Sequence, residues 1–133
     1  MSSLKQYLTL KNWFIFNAAL YILVGLPFLV DPVALGAPVA SSGDIFTIHA
    51  WRSYASVYIG FGIIYWFARN DGPSDTQKGI MYGSLITNFL AIGIILLSII
   101  NEIVNISAWG SLILEVIITV GWGYWILRAR SAM

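Results

Sequence analysis

The sequence predicts an all-α, polytopic membrane protein: four transmembrane helices in an antiparallel bundle, with both termini cytoplasmic. Three observations lead there. The first is composition. Of 133 residues, 59% are hydrophobic and only 10% charged, with a mean hydropathy of +0.80. A soluble domain carries about 25% charged residues, so this inventory does not cover a water-facing surface. The second is the presence of four apolar runs, at residues 12–30, 48–68, 79–100 and 106–127. At about 1.5 Å per residue each run is long enough to cross a hydrocarbon core. The third is the placing of basic residues. Lys5 and Lys11 precede the first run, Arg69 and Lys78 separate the second from the third, and Arg128 and Arg130 follow the fourth. With four crossings all three basic segments fall on one side, which the positive-inside rule makes cytoplasmic.

In chain order, residues 1–11 are short and polar. The run at 12–30 exceeds the length of a signal-peptide core and reads as a retained anchor. Pro27 kinks or ends it, because proline lacks the donor that a helix interior needs. Residues 31–47 form the long outer loop, rich in Pro, Gly, Ala and Ser but still rather apolar, with Asp44 a candidate cap for the second span. The second span, 48–68, carries His49 and Arg52 near its outer end. Asp71-Gly72-Pro73-Ser74 is a turn signal, with Ser74 or Asp75 as the N-cap of the third span. Residues 101–105 make a tight turn with Glu102. The sequon Asn105-Ile106-Ser107 abuts the fourth span and is discounted as a glycosylation site. Trp13, Trp66, Tyr82 and Trp125 mark the inner interface and Trp51 and Trp109 the outer one, since an amphipathic ring prefers the headgroup level.

The chain is read as one domain. It has no cysteine, which excludes disulfides, iron–sulfur clusters and thiol catalysis. Its single histidine excludes a multi-histidine metal site within one chain. A net charge of +1 points to no nucleic acid. No nucleophile–base pair or phosphate loop stands out, so no catalytic residue and no cofactor is predicted. A bound lipid or other apolar ligand is compatible with the pattern.

Residues four apart share a helix face, and on that basis small and polar side chains define an inward stripe. Helix packing is expected at Gly60, Gly79, Gly83 and Gly123. An internal polar or ligand site is expected from Arg52, Glu115, His49, Asn88, Asn17, Ser56, Ser111 and Thr119. Arg52 and Glu115 matter most, because a charge near the middle of a span costs roughly 2.5–3.5 kcal/mol. The two are expected to pair across the bundle. The competing readings are an Arg52 that snorkels to headgroups, and a protonated Glu115 bonded to Ser111, Asn88 or Thr119.

The layout carries a resemblance. A basic N-terminus leads to a span ending in Gly25-Leu26-Pro27 and Asp31-Pro32. A loop follows, then Arg52, and a small-residue run that ends in Trp66-Phe67-Ala68-Arg69-Asn70. This looks like the small four-helix, DoxX-like membrane proteins of prokaryotes. The resemblance implies a prokaryotic inner membrane and a four-helix bundle, and supplies no activity to carry over. Three functions are open from sequence. One is an accessory or self-associating subunit partnered by lipid, by other membrane subunits or by itself. Another is a binder of a small amphipathic molecule such as a lipid, quinone or pigment. The third is a proton-coupled transporter using Glu115.

Overall fold

The computed structural model describes residues 2–32, 45–72, 74–101 and 108–130, with side chains at 10–32, 48–72, 74–101 and 108–129. Asp44, Glu102, the Asn105 sequon and most of the 31–47 loop lie outside the described residues. The described residues form four helices: α1 (Ser2–Val30), α2 (Ile45–Ala68), α3 (Asp75–Ile100) and α4 (Ala108–Arg130).

Among the described residues three helical segments are long and apolar enough to cross a membrane: Leu10–Val30, Asp75–Ile100 and Ala108–Ala129. The sequence expectation of four spans differs here. At 24 residues α2 has the length, but His49, Arg52, one threonine, two serines and five tyrosines and tryptophans dilute its apolar content.

The helices also begin earlier than the apolar runs. α1 starts in the polar N-terminal segment and α3 starts at Asp75, because polar residues extend a helix beyond the oil-like stretch at no cost in water. Pro27 lies inside α1 and does not end it; the amide of Asp31 donates to the Pro27 carbonyl at 2.9 Å and closes one more turn. After α2 the chain turns through Gly72, whose φ of 65° is a left-handed conformation that glycine adopts without a Cβ penalty. The Ser74 amide then donates to the Gly72 carbonyl at 2.8 Å. That leaves Ser74 at the N-cap position of α3. Asp75 follows in the first turn, where the helix dipole favours a carboxylate, and pairs with Lys78 at 3.5 Å.

The chain divides into two compact units, α1 with α2 and α3 with α4. In the first, contacts run in opposite order along the two helices. Phe14 meets Tyr65, Tyr21 meets Tyr58, and Phe28 stacks on Trp51 with ring centroids 5.1 Å apart. The helices touch where side chains are smallest. A Cβ added at Gly25 would stand 3.0 Å from the Ala55 carbonyl oxygen, and one at Gly62 would stand 3.0 Å from that of Ala18. Both helices therefore use an Ala and a Gly seven residues apart, each glycine facing the other helix's alanine. Flanking these approaches, Tyr21 touches Tyr58, Phe61 and Tyr65, and Tyr58 continues to Tyr54 and Trp51.

In the second unit, Leu85 reaches the position where a Gly123 Cβ would be, at 4.0 Å. Leu85 lies fifteen residues before the end of α3 and Gly123 fifteen after the start of α4. The buried residues of α3 are Gln77, Met81, Ser84 and Asn88, whereas Phe89, Leu90, Ile94 and Leu97 are exposed. Burying polar side chains while exposing large apolar ones inverts the arrangement of a water-soluble domain.

Candidate functional site

The expected inward residues separate into two groups by burial. Asn17, Asn88 and Glu115 are buried, as are Ser84 and Gln77. His49, Arg52, Ser56 and Ser111 are exposed, and Thr119 is half-buried. Arg52 and Glu115 belong to different units, and each is described within its own.

The buried polar side chains satisfy part of their hydrogen-bonding capacity on their own helices. Asn17 Nδ2 donates to the Trp13 carbonyl at 2.8 Å, and Asn88 Nδ2 to that of Ser84 at 2.7 Å. Ser84 Oγ donates to Ile80 at 2.6 Å. Thr119 Oγ1 donates to the backbone carbonyl of Glu115 at 2.7 Å, so its proton goes to the main chain rather than to the carboxyl. Such back-bonding lets a serine, threonine or asparagine sit in an apolar helix without a partner helix. Asn17 keeps a buried Oδ1 that receives no hydrogen bond among the described residues.

The exposed group has a geometry of its own. At about 100° per residue, His49, Arg52, Ser53, Ser56 and Gly60 fall within an arc of about 100°. The α1-facing residues Ala55, Tyr58, Gly62 and Tyr65 lie on the opposite side of α2. Ser56 Oγ donates to the Ser53 carbonyl at 2.7 Å. A Cβ added at Gly60 would meet nothing within 4 Å, leaving a notch in this face. Farther along the same face stand exposed Ile63 and Phe67.

Of the expected packing glycines, Gly123 lies beside Leu85, while Gly60, Gly79 and Gly83 stand in open space. The tight approach occurs instead at Gly25 and Gly62. Sequence reasoning passed over Gly62 and Gln77. The repeated Ala-x6-Gly spacing signals the first, and the 77–81–84–88 periodicity signals the second. Two arginines mark helix ends. Arg69 lies over the Trp66 ring, 3.6 Å from its centroid, and donates to the Trp66 carbonyl. Arg128 donates to the Tyr124 hydroxyl. An arginine laid on an aromatic one turn back is a natural fit to the headgroup region.

Among the described residues no three of His, Cys, Asp and Glu are grouped to hold a metal ion. Comparison with family models, with curated proteins and with solved structures finds no match to this chain.

Proposed function

We propose that this is a multi-pass protein of a prokaryotic inner membrane that acts as a self-associating or accessory helical subunit. The observation that carries the reading is the outward face of α3. Gly79 and Gly83 are exposed, and a Cβ on either would meet no atom within 4 Å. Gly93 continues the same open face, on the side away from buried Gln77, Ser84 and Asn88. Glycines four apart on an apolar helix let a second helix approach backbone to backbone, where dispersion and weak hydrogen bonds hold the pair.

The same reading has α2 crossing the bilayer beside α1. The two touch from Phe14–Tyr65 to Phe28–Trp51, a rise of about 21 Å along α1, so a bilayer that admits α1 admits α2 with it. Four crossings in an antiparallel bundle then bring residues 1–11, 69–78 and 128–133 to the cytoplasmic side.

The test is association in native-lipid nanodiscs. The wild type is expected to form a discrete oligomer or to hold a partner, and Gly79→Leu with Gly83→Leu to weaken association at least about tenfold, a change of about 1.4 kcal/mol. A wild-type protein that stays a lone monomer there would overturn the reading. A second function, binding of an amphipathic molecule, is favoured by a different surface, the outward face of α2.

A further inference from the structure

We infer that the outward face of α2 is a binding site for one anionic phospholipid, with its phosphate held by Arg52, His49 and Ser53 and an acyl chain laid through the Gly60 notch. The inference goes beyond the self-association proposed for α3 and uses a separate surface.

The face is graded along the helix axis. His49, Arg52, Ser53 and Ser56 occupy its first half, and Gly60, Ile63 and Phe67 its second. All except half-buried Gly60 are exposed. From His49 to Ile63 the rise is about 21 Å, close to the depth of one leaflet with its headgroups, about 20–22 Å. A molecule with a polar anionic end and an apolar tail of that length matches this face end for end.

Charge selects the headgroup. α2 contains an arginine and no aspartate or glutamate. α1 contains no acidic residue either; Asp31, the exposed residue that follows it, stands just beyond its C-terminal end. Guanidinium binds a phosphate through two parallel N–H donors, and a neighbouring hydroxyl and imidazole add further hydrogen bonds. The position suits this chemistry. Arg52 lies seven residues into α2, about 10 Å from its start, and its long side chain reaches back toward the headgroup plane. Trp51, half-buried and stacked on Phe28, fixes the same end of the helix. Gly60 has the opposite role: with no side chain of its own and no atom within 4 Å of where a Cβ would be, it leaves the helix backbone uncovered for a chain to lie against.

A lipid phosphate also answers the cost of the exposed cation. An arginine near the end of a span costs less than the roughly 2.5–3.5 kcal/mol of one at its centre, and an anionic headgroup at the same level neutralises it.

The experiment uses the purified full-length protein in mild detergent, equilibrated with phosphatidylglycerol or phosphatidylcholine of identical chains, with bound lipid counted by native mass spectrometry. The wild type is expected to retain phosphatidylglycerol at least about fivefold over phosphatidylcholine, a preference of about 1 kcal/mol. Arg52→Gln should abolish that preference and Arg52→Lys should restore part of it. Gly60→Leu should lower retention of both lipids while leaving their ratio unchanged. Equal retention of the two lipids by the wild type overturns the proposal, as does an undiminished preference in Arg52→Gln. Displacement of phosphatidylglycerol by millimolar inorganic phosphate would reassign the site to a soluble anion and overturn the lipid. Glu115→Gln is the remaining arm. A rise of the preference in that variant would make Glu115 the counterion that competes for Arg52, against this assignment, and an unchanged preference supports it. Oligomeric state read in the same spectra reports on the α3 proposal independently.

Discussion

Gly62 faces the backbone of Ala18 so closely that a Cβ on the glycine would lie 3.0 Å from the alanine carbonyl oxygen and 2.6 Å from Ile22 Cγ1. Gly25 repeats the relationship with Ala55, one heptad along each helix. Ile22 is β-branched and meets the added carbon at Cγ1 rather than at its tip, and the carbonyl belongs to a helix and moves only with it. Gly62→Ala is therefore expected to push α1 and α2 apart and destabilise the protein by about 1–3 kcal/mol. Gly60→Ala, two residues earlier in open space, should change stability by less than about 0.5 kcal/mol or raise it slightly through helix propensity. Thermal unfolding of both variants in one detergent checks the pair, and equal effects would refute the seam.

Tyr65 sits at the crossing of the aromatic ladder, 1% exposed and in ring contact with Phe14, Tyr21 and Phe61. Truncation to alanine removes those contacts and leaves a cavity, so Tyr65→Ala should cost about 3–5 kcal/mol. Tyr54 belongs to the same ladder but is 53% exposed, so Tyr54→Ala should cost a minor fraction of that. A comparable loss at both positions in chemical unfolding would show that burial does not order the ladder.

Much of this architecture is legible in the sequence, and what is not has a physical reason. Four helices follow from four apolar runs bounded by basic and turn residues. Their ends are less legible, because hydropathy registers the oil-like stretch and not the polar turns that continue the helix in water, as at Ser2 in α1, whereas the turn signal and the cap at Ser74 or Asp75 do mark the start of α3. Helical spacing names the residues that share a face but not which neighbour that face meets. Gly60 and Gly62 read alike as small residues, yet only Gly62 points at α1. The same limit applies to the polar positions. Asn17 and Asn88 are buried, while His49, Arg52 and Ser56, equally polar, lie on the side of α2 away from its partner. Gln77 escaped notice because it precedes the third apolar run, where a glutamine looks like part of the turn.

Four crossings make a topological prediction that engineered cysteines test directly, since the chain has none. Ser3→Cys, Ser74→Cys and Ser131→Cys should all react with a membrane-impermeant maleimide only when the cytoplasmic face is accessible. Should α2 fail to cross, the connection bearing Ser74 would lie on the other side from residue 3. Labelling of Ser3→Cys and Ser74→Cys from opposite faces would thus remove α2 from the spans.

Asn17 offers a stability test with an unusual sign. The side chain is fully buried, and its Nδ2 bonds the Trp13 carbonyl while Oδ1 receives no hydrogen bond among the described residues. A buried acceptor left in that state costs about 1–3 kcal/mol, whereas the bond made by Nδ2 contributes about 1 kcal/mol. Leucine has the same number and branching of side-chain heavy atoms and neither polar atom. Asn17→Leu should therefore leave stability unchanged or raise it by up to about 2 kcal/mol, against the usual direction for a core substitution. Thermal and chemical unfolding of the variant decide the matter. A loss greater than about 2 kcal/mol would mean that Oδ1 is bonded in the working protein, and would mark Asn17 as part of a polar contact rather than a cost that packing absorbs.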